Sequence, residues 1–165
     1  MPNCPEYPVR KRNRLMDFDY SSPHAYFITI CTAQRRNIFW DSVGATMGRP
    51  PALPLSPAGK VVQTALSAIP ERYPAYVMEH SVIMPNHVHL LLRIRADEDG
   101  RPMVAPTVST VVAQMKGVVT KRLGRNIWQK GFHDHIVRTL EDFEEIRQYI
   151  ENNPFKWAED SLYTS

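Results

Sequence analysis

Two periods of hydrophobic and polar positions run through this chain. Ala25 to Thr32 is a β-branched and aromatic run that predicts a strand, with Phe27 and Ile30 on opposite faces. Ser56-Pro57 opens a helix with Ser56 as N-cap, and Val61, Val62, Ala65, Leu66 and Ile69 recur at helical spacing until a stop near Pro70 or Tyr73. Residues 75–84 and 87–95 read as two strands, joined antiparallel by the turn Pro85-Asn86. From Thr107 to Leu123, Val108, Val111, Val112, Met115, Val118 and Val119 line one helical face, and Gly124 ends the helix. Ile127–Trp128 and Phe132–Val137 suggest a short fourth strand. A last helix starts at Thr139 or Glu141, carries Asp142 and Glu144 near its positive end, places Leu140, Phe143, Ile146, Tyr149 and Ile150 on one stripe, and stops at Pro154.

The order strand, helix, strand, strand, helix, strand, helix predicts an α+β fold. Its first six elements spell the ferredoxin-like split βαβ arrangement, an antiparallel sheet with helices on one face. The additional C-terminal helix, which carries Tyr149, is then free to pack near the open side of the sheet. With 165 residues and 43% hydrophobic positions there is material for one core. The expected organisation is a basic N-terminal arm at 1–22, a single domain at 23–158, and a C-terminal tail at 159–165.

Composition excludes some classes. No apolar run approaches the roughly 20 residues of a bilayer span, and Met1 to Arg14 lacks an apolar signal core. The expectation is therefore a cytoplasmic protein with no membrane partner. The two cysteines, Cys4 and Cys31, rule out a disulfide scaffold or a four-cysteine zinc site. The net charge of +3 conceals a segregation: residues 1–40 hold six Lys/Arg against three acids, residues 101–138 hold seven against one, and residues 139–165 hold two against seven. A polyanion would favour the first two segments, at Arg10, Lys11, Arg12 and Arg14 and at Lys116, Lys121, Arg122, Arg125 and Lys130. The same pattern would also arise from a solubilising tail and a solvated helix face.

Two His-X-His pairs, His87/His89 and His133/His135, bear on chemistry. Side chains two apart on a strand face the same way, so either pair is able to present two imidazoles to one metal, or to serve as surface or packing residues. His87 and His89 lead into Leu90-Leu91-Leu92, so they are polar groups on a largely buried strand and need partners: a metal, or a hydrogen-bonded core pair. Tyr149 and Asn153 are four apart and share a helix face if the helix still holds at Asn153. An Asn carbonyl suits a hard cation beside two His, while a Tyr on an apolar stripe also reads as a core residue. Trp128, Phe132 and Trp157 are open to either base stacking or the core.

The stretch Met84-Pro85-Asn86-His87-Val88-His89-Leu90-Leu91-Leu92 resembles the His-hydrophobic-His motif of single-tyrosine HUH transposases, in particular the REP-associated tyrosine transposases of bacteria. Four further stretches are similar and in the same order: Tyr20 to Thr32, Gln114 to Gly117, Trp128 to Arg138, and Tyr149-Ile150-Glu151-Asn152-Asn153-Pro154. The likeness covers about residues 10–158. It implies a ferredoxin-like fold, His87 and His89 as metal ligands, Tyr149 as nucleophile and Asn153 as third ligand. It also implies Mg²⁺ or Mn²⁺ as cofactor, single-stranded or hairpin-forming REP-like DNA as partner, and a nucleoid-associated monomer or homodimer. The loops at 41–55 and 96–106 carry no motif that maps onto the family, and His135 fits a recurrent position without being a ligand.

The implied reaction is attack of Tyr149 on a phosphodiester, giving a 5′-phosphotyrosine and a free 3′-OH; no dedicated base for the phenol is visible in the sequence. Two rivals stand beside it. A non-catalytic single-stranded nucleic-acid-binding module would need exposed sheet aromatics and no metal. A metal-dependent hydrolytic nuclease would use both His pairs together and never link covalently to DNA.

Overall fold

The computed structural model describes residues 24–41, 55–99, 103 and 105–164. The arm carrying Arg10, Lys11, Arg12 and Arg14 and most of the excursion at 41–55 lie outside the described residues. Four strands form one antiparallel sheet: β1 (Ala25–Cys31), β2 (Tyr76–Ile83), β3 (His87–Ile94) and β4 (His133–Val137), in the order β2-β3-β1-β4. This is the split βαβ topology, with the two longest apolar runs in the middle. β3 is buried at every position except Arg93, as a strand covered on both faces requires.

Cross-strand register sorts the side chains. Tyr26, Ile28 and Ile30 of β1 stand opposite Leu92, Leu90 and Val88 of β3, and all six are fully buried. They form the floor of the main core, covered by α1 (Pro57–Ser67) and α3 (Val108–Leu123), which pack on one another. The alternate positions, Phe27 and Thr29 on β1 with His87 and His89 on β3, face the other way. Burying each aliphatic of the floor contributes about 1.5–3 kcal/mol, which holds β3 in one register. A one-residue slip would move both imidazoles into the apolar core.

The helix ends follow their sequence signals. Ser56 Oγ accepts from Gly59 N–H at 3.1 Å and donates to Ile38 O at 2.6 Å, tying α1 to the segment after β1. Gly59 is required there because a β-carbon would run into the Phe39 carbonyl oxygen. Thr107 caps α3, and Gly124 ends it at φ 67°. A four-residue helix, α2 (Ile69–Arg72), takes the chain from α1 into β2.

The final helix, α4 (Leu140–Asn152), is capped by Thr139 and has Glu141 and Asp142 in its first turn. It contacts β2, β3 and β4 and covers the face bearing the imidazoles. Pro154 does not stop the winding, contrary to the sequence expectation. The chain continues as a 3-10 helix over Asn153–Glu159 with Pro154 in its first turn, where a missing N–H leaves no bond unmade. Asn153 keeps φ −55° and ψ −43° and donates its N–H to Tyr149 O.

Candidate active site

His87 and His89 point from β3 into the seam between the sheet and α4, 0% and 2% exposed. Asn86 fixes the tautomer of His87. Its Nδ2 donates to the carbonyls of Arg35 (3.3 Å) and Leu162 (2.8 Å), so Oδ1 is the end that meets His87 Nδ1, at 2.8 Å. A carbonyl oxygen only accepts, so Nδ1 carries the proton and Nε2 keeps its lone pair. His89 Nδ1 is held by Thr29 Oγ1 at 2.9 Å, and its ring stacks on Phe27. The two Nε2 atoms stand 3.0 Å apart, a hydrogen bond in which His89 Nε2–H donates to the His87 lone pair when no ion lies between them. Burial pushes both imidazoles down to about 3, helped at His87 by Arg35 and at His89 by His87. Both are neutral at pH 7, the state in which an imidazole is a ligand.

The continuous winding of α4 brings Tyr149 and Asn153 onto the face turned toward these rings. Tyr149 is 45% exposed, which excludes the core reading. Its hydroxyl lies 3.5 Å from His89 Nε2 and donates to Asp160 Oδ2 at 3.4 Å. Burial, and then Asp160, raise the phenol above its ordinary range, while the Asn153 amide works in the opposite direction. Asn153 is 3% exposed; its amide lies near enough to the Tyr149 phenol to favour the phenolate, yet neither Oδ1 nor Nδ2 has a partner within hydrogen-bond distance. A cavity of about 430 Å³ opens beside Tyr149, lined by Gln148, Asn152, Asn153, Lys156 and Asp160 among others.

The donor set fits a divalent cation. An amide buried with both polar atoms unbonded costs roughly 1–3 kcal/mol, and a cation taking the Oδ1 lone pair would give one of the two atoms a partner. Two nitrogens ligating one ion at right angles, each about 2.1 Å away, stand about 3.0 Å apart, which the two Nε2 atoms match. Among the described residues, the His/Cys/Asp/Glu cluster close enough to share an ion is His87, His89 and Asp160.

The sequence profile of the IS200-like transposases matches residues 21–153, from the lead-in to β1 through Asn153. The chain belongs to this transposase family. A Haemophilus influenzae protein of uncharacterized function is 30% identical over 93% of each chain. Among solved structures, a REP-associated tyrosine transposase bound to a REP hairpin shares the fold with TM-score 0.63 and 19% identity, over 87% of this chain and 73% of its own. A second, from Deinococcus radiodurans and described as a putative transposase, is 18% identical with TM-score 0.48, over 84% and 95%.

The remaining sequence candidates fall elsewhere on this transposase. His133 and His135 are exposed on edge strand β4, and His135 Nε2 is 2.8 Å from Asp142 Oδ2 on α4, so the second pair does not join the first. Lys121, Arg122, Arg125 and Lys130 are exposed at the C-terminal end of α3 and beyond. Lys116 is half-buried: its Nζ donates to Gln129 O (2.7 Å) and Gly131 O (2.9 Å) and lies over the Trp128 ring. Trp128 and Trp157 are core. No helix among the described residues is long and apolar enough to cross a membrane.

The sequence reading missed Thr29, Asn86 and Asp160. Asn86 lies in the turn just before His87, and Thr29 stands directly opposite His89 in the β1–β3 register. Asp160 had no local signal. It arrives because residues 160–164 are docked: Asn86 Nδ2 donates to Leu162 O, Asn37 Nδ2 to Thr164 O at 2.8 Å, and Thr164 Oγ1 to Arg35 O at 3.1 Å.

Proposed function

We propose that this transposase cleaves and rejoins single-stranded DNA through a 5′-phosphotyrosine on Tyr149, with a divalent cation, Mg²⁺ or Mn²⁺, held by His87, His89 and Asn153. The observation that carries this reading is the meeting of three features in one seam. They are a half-exposed tyrosine hydroxyl 3.5 Å from His89 Nε2, two neutral imidazoles with adjacent Nε2 atoms, and a buried amide without a partner. A bound cation would neutralise a non-bridging phosphate oxygen, the main barrier to attack on an anionic diester.

The protein's own groups do the rest. α4 holds the Tyr149 hydroxyl at the mouth of the cavity, and its edge contact with Phe27 limits the ring's swing. Oη attacks phosphorus, a Tyr–O–P bond forms, the P–O3′ bond breaks, and the released strand ends in a 3′-OH after taking up a proton. The phenol's proton lies toward Asp160 Oδ2. A phenol of ordinary pKa about 10 leaves far more readily than a sugar alkoxide, so the phosphotyrosine keeps the bond's free energy and a 3′-OH is able to reverse the step. Strand transfer then needs no nucleotide cofactor.

The substrate reading is hairpin-forming, REP-like DNA. The related transposase of the same fold binds a REP hairpin, and the exposed cations Lys121, Arg122, Arg125 and Lys130, with the arm residues Arg10, Lys11, Arg12 and Arg14, offer phosphate contacts. A nucleoid-associated, cytoplasmic enzyme acting as monomer or homodimer accords with that substrate. The test is incubation of labelled single-stranded hairpin DNA with Mn²⁺ and a denaturing gel. Wild type should give a protein-linked band that EDTA abolishes, and Tyr149→Phe should give none while still shifting DNA on a native gel. A band that persists in Tyr149→Phe removes Tyr149 as nucleophile.

A further inference from the structure

We infer that Asp160 is a further ligand of the divalent cation, completing a four-donor set with His87, His89 and Asn153. This rests on the cation reading above and adds to it a residue that lies outside the 21–153 span matched by the family profile.

Position comes first. The Asp160 carboxylate and the two imidazoles offer donor atoms that all lie within 4.8 Å of one another, with Asp160 Oδ2 3.9 Å from His87 Nε2. The two imidazoles come from β3 and the carboxylate from the turn after the α4 extension, and Asp160 lines the same cavity as Asn153.

Charge comes second. The Asp160 side chain is 2% exposed, and among the described residues its ion-pair neighbour within 4.0 Å is His87 rather than a lysine or arginine. The carboxylate accepts from Leu162 N–H on Oδ1 and from the Tyr149 hydroxyl on Oδ2, and a buried carboxylate without a cationic partner remains costly unless it coordinates a metal. With two neutral imidazoles, one amide and one carboxylate, a dication leaves the centre at +1, the complement of a single phosphodiester. A carboxylate and an amide oxygen also shift the donor set toward Mn²⁺ and Mg²⁺, away from the zinc that two imidazoles alone would favour.

Support comes third. Asp160 Oδ1 accepts from Leu162 N–H at 2.7 Å, which turns Oδ2 toward the seam, where it meets the Tyr149 hydroxyl at 3.4 Å. Asn86 holds Leu162 O with one end of its amide and His87 Nδ1 with the other. One side chain thus sets both the tautomer of His87 and the docking of the segment that delivers Asp160, as outer partners of a metal site do. The independent sign of a missing ligand is the Asn153 amide, 3% exposed with neither polar atom within hydrogen-bond distance of a partner, in the cavity that Tyr149 and Asp160 also line.

The experiment is isothermal titration of Mn²⁺ alone into the full chain without DNA, for wild type, His87→Ala and Asp160→Asn. Asn retains the Oδ1 acceptor for Leu162 N–H and removes the charge. The expected result is one Mn²⁺ in wild type, none in His87→Ala, and an affinity in Asp160→Asn reduced by at least the roughly 10–100-fold that loss of an outer partner costs. Unchanged affinity in Asp160→Asn, with loss in His87→Ala, overturns the role of Asp160 and leaves the three-donor reading standing. No binding by wild type overturns both. A wild-type crystal soaked in Mn²⁺ gives a reading that needs no variant: an Asp160 oxygen within about 2.0–2.6 Å of the ion supports ligation, and one beyond about 3.5 Å overturns it.

Discussion

Without metal, the transposase should lose stability steeply between pH 7 and pH 5, because its two core imidazoles are buried neutral. The perturbation is proton uptake. In the unfolded chain a histidine titrates near 6.5, and in the native seam burial holds His87 and His89 at about 3. Below pH 6.5 the unfolded state therefore binds more protons than the native state, so stability present above 6.5 falls as the pH drops and continues to fall until about 3. At pH 5 each histidine lies about 1.5 units below its unfolded pKa, which is about 2 kcal/mol at 1.36 kcal/mol per unit. The pair is then worth about 4 kcal/mol, a large part of a typical 5–15 kcal/mol total. With a urea slope of about 2 kcal/mol/M the midpoint should drop by about 2 M. The assay is urea unfolding in EDTA at pH 7.5, 6 and 5, with His87→Gln alongside, which should halve the drop. A midpoint that moves less than about 0.5 M, or an equal drop in a His87→Gln/His89→Gln double variant, would refute the buried neutral pair.

Three further outcomes follow from particular contacts. Thr29→Val removes the partner of His89 Nδ1 at 2.9 Å and should weaken Mn²⁺ binding by roughly 10–100-fold in calorimetry while the fold persists in circular dichroism. Gly59→Ala drives a methyl into the Phe39 carbonyl and should cost about 1–3 kcal/mol in chemical denaturation, with an unchanged midpoint contradicting the tight approach of α1 to that segment. Changing Arg10, Lys11, Arg12 and Arg14 to Ala should flatten the log–log salt dependence of DNA binding by roughly two to four units, at about 0.7–0.9 per lost phosphate contact, while leaving cleavage at saturating DNA nearly unchanged; an unaltered slope would make the arm a solubilising tail.

What the sequence could disclose was set by the range of the interactions involved. The imidazole pair was readable because a strand's period of two puts His87 and His89 on one face whatever else the chain does. The apolar residues after them required β3 to be central, and it is. Tyr149 and Asn153 were readable as a helical i,i+4 pair, but Pro154 argued for a break at that point. The chain nonetheless winds on as a 3-10 helix with Pro154 in its first turn, and its Trp157 packs against the His87 ring of β3. The stripe on α4 could not separate Ile146 and Ile150, which are buried, from Tyr149 and Leu140, which are 45% and 78% exposed, because that depends on how far the sheet extends beneath the helix. Lys116 read as one more surface cation, whereas the carbonyls of Gln129 and Gly131, 13 and 15 residues further along the chain, claim its ammonium. Asp160 was beyond any local pattern, since the contact that delivers it is made by Asn86, more than seventy residues earlier in the chain.

The most direct test of the central claim is to find the covalent link itself. After reaction with hairpin DNA and Mn²⁺, nuclease trimming and trypsin digestion, the peptide between Arg147 and Lys156, Gln148-Tyr149-Ile150-Glu151-Asn152-Asn153-Pro154-Phe155-Lys156, contains one tyrosine. Mass spectrometry should show that peptide carrying a nucleotide remnant joined through its 5′-phosphate to Tyr149, and the released strand should end in a 3′-OH that a terminal transferase extends. An unmodified Gln148–Lys156 peptide beside cleaved strands with free 5′-phosphates would contradict the account and make the enzyme a hydrolytic nuclease.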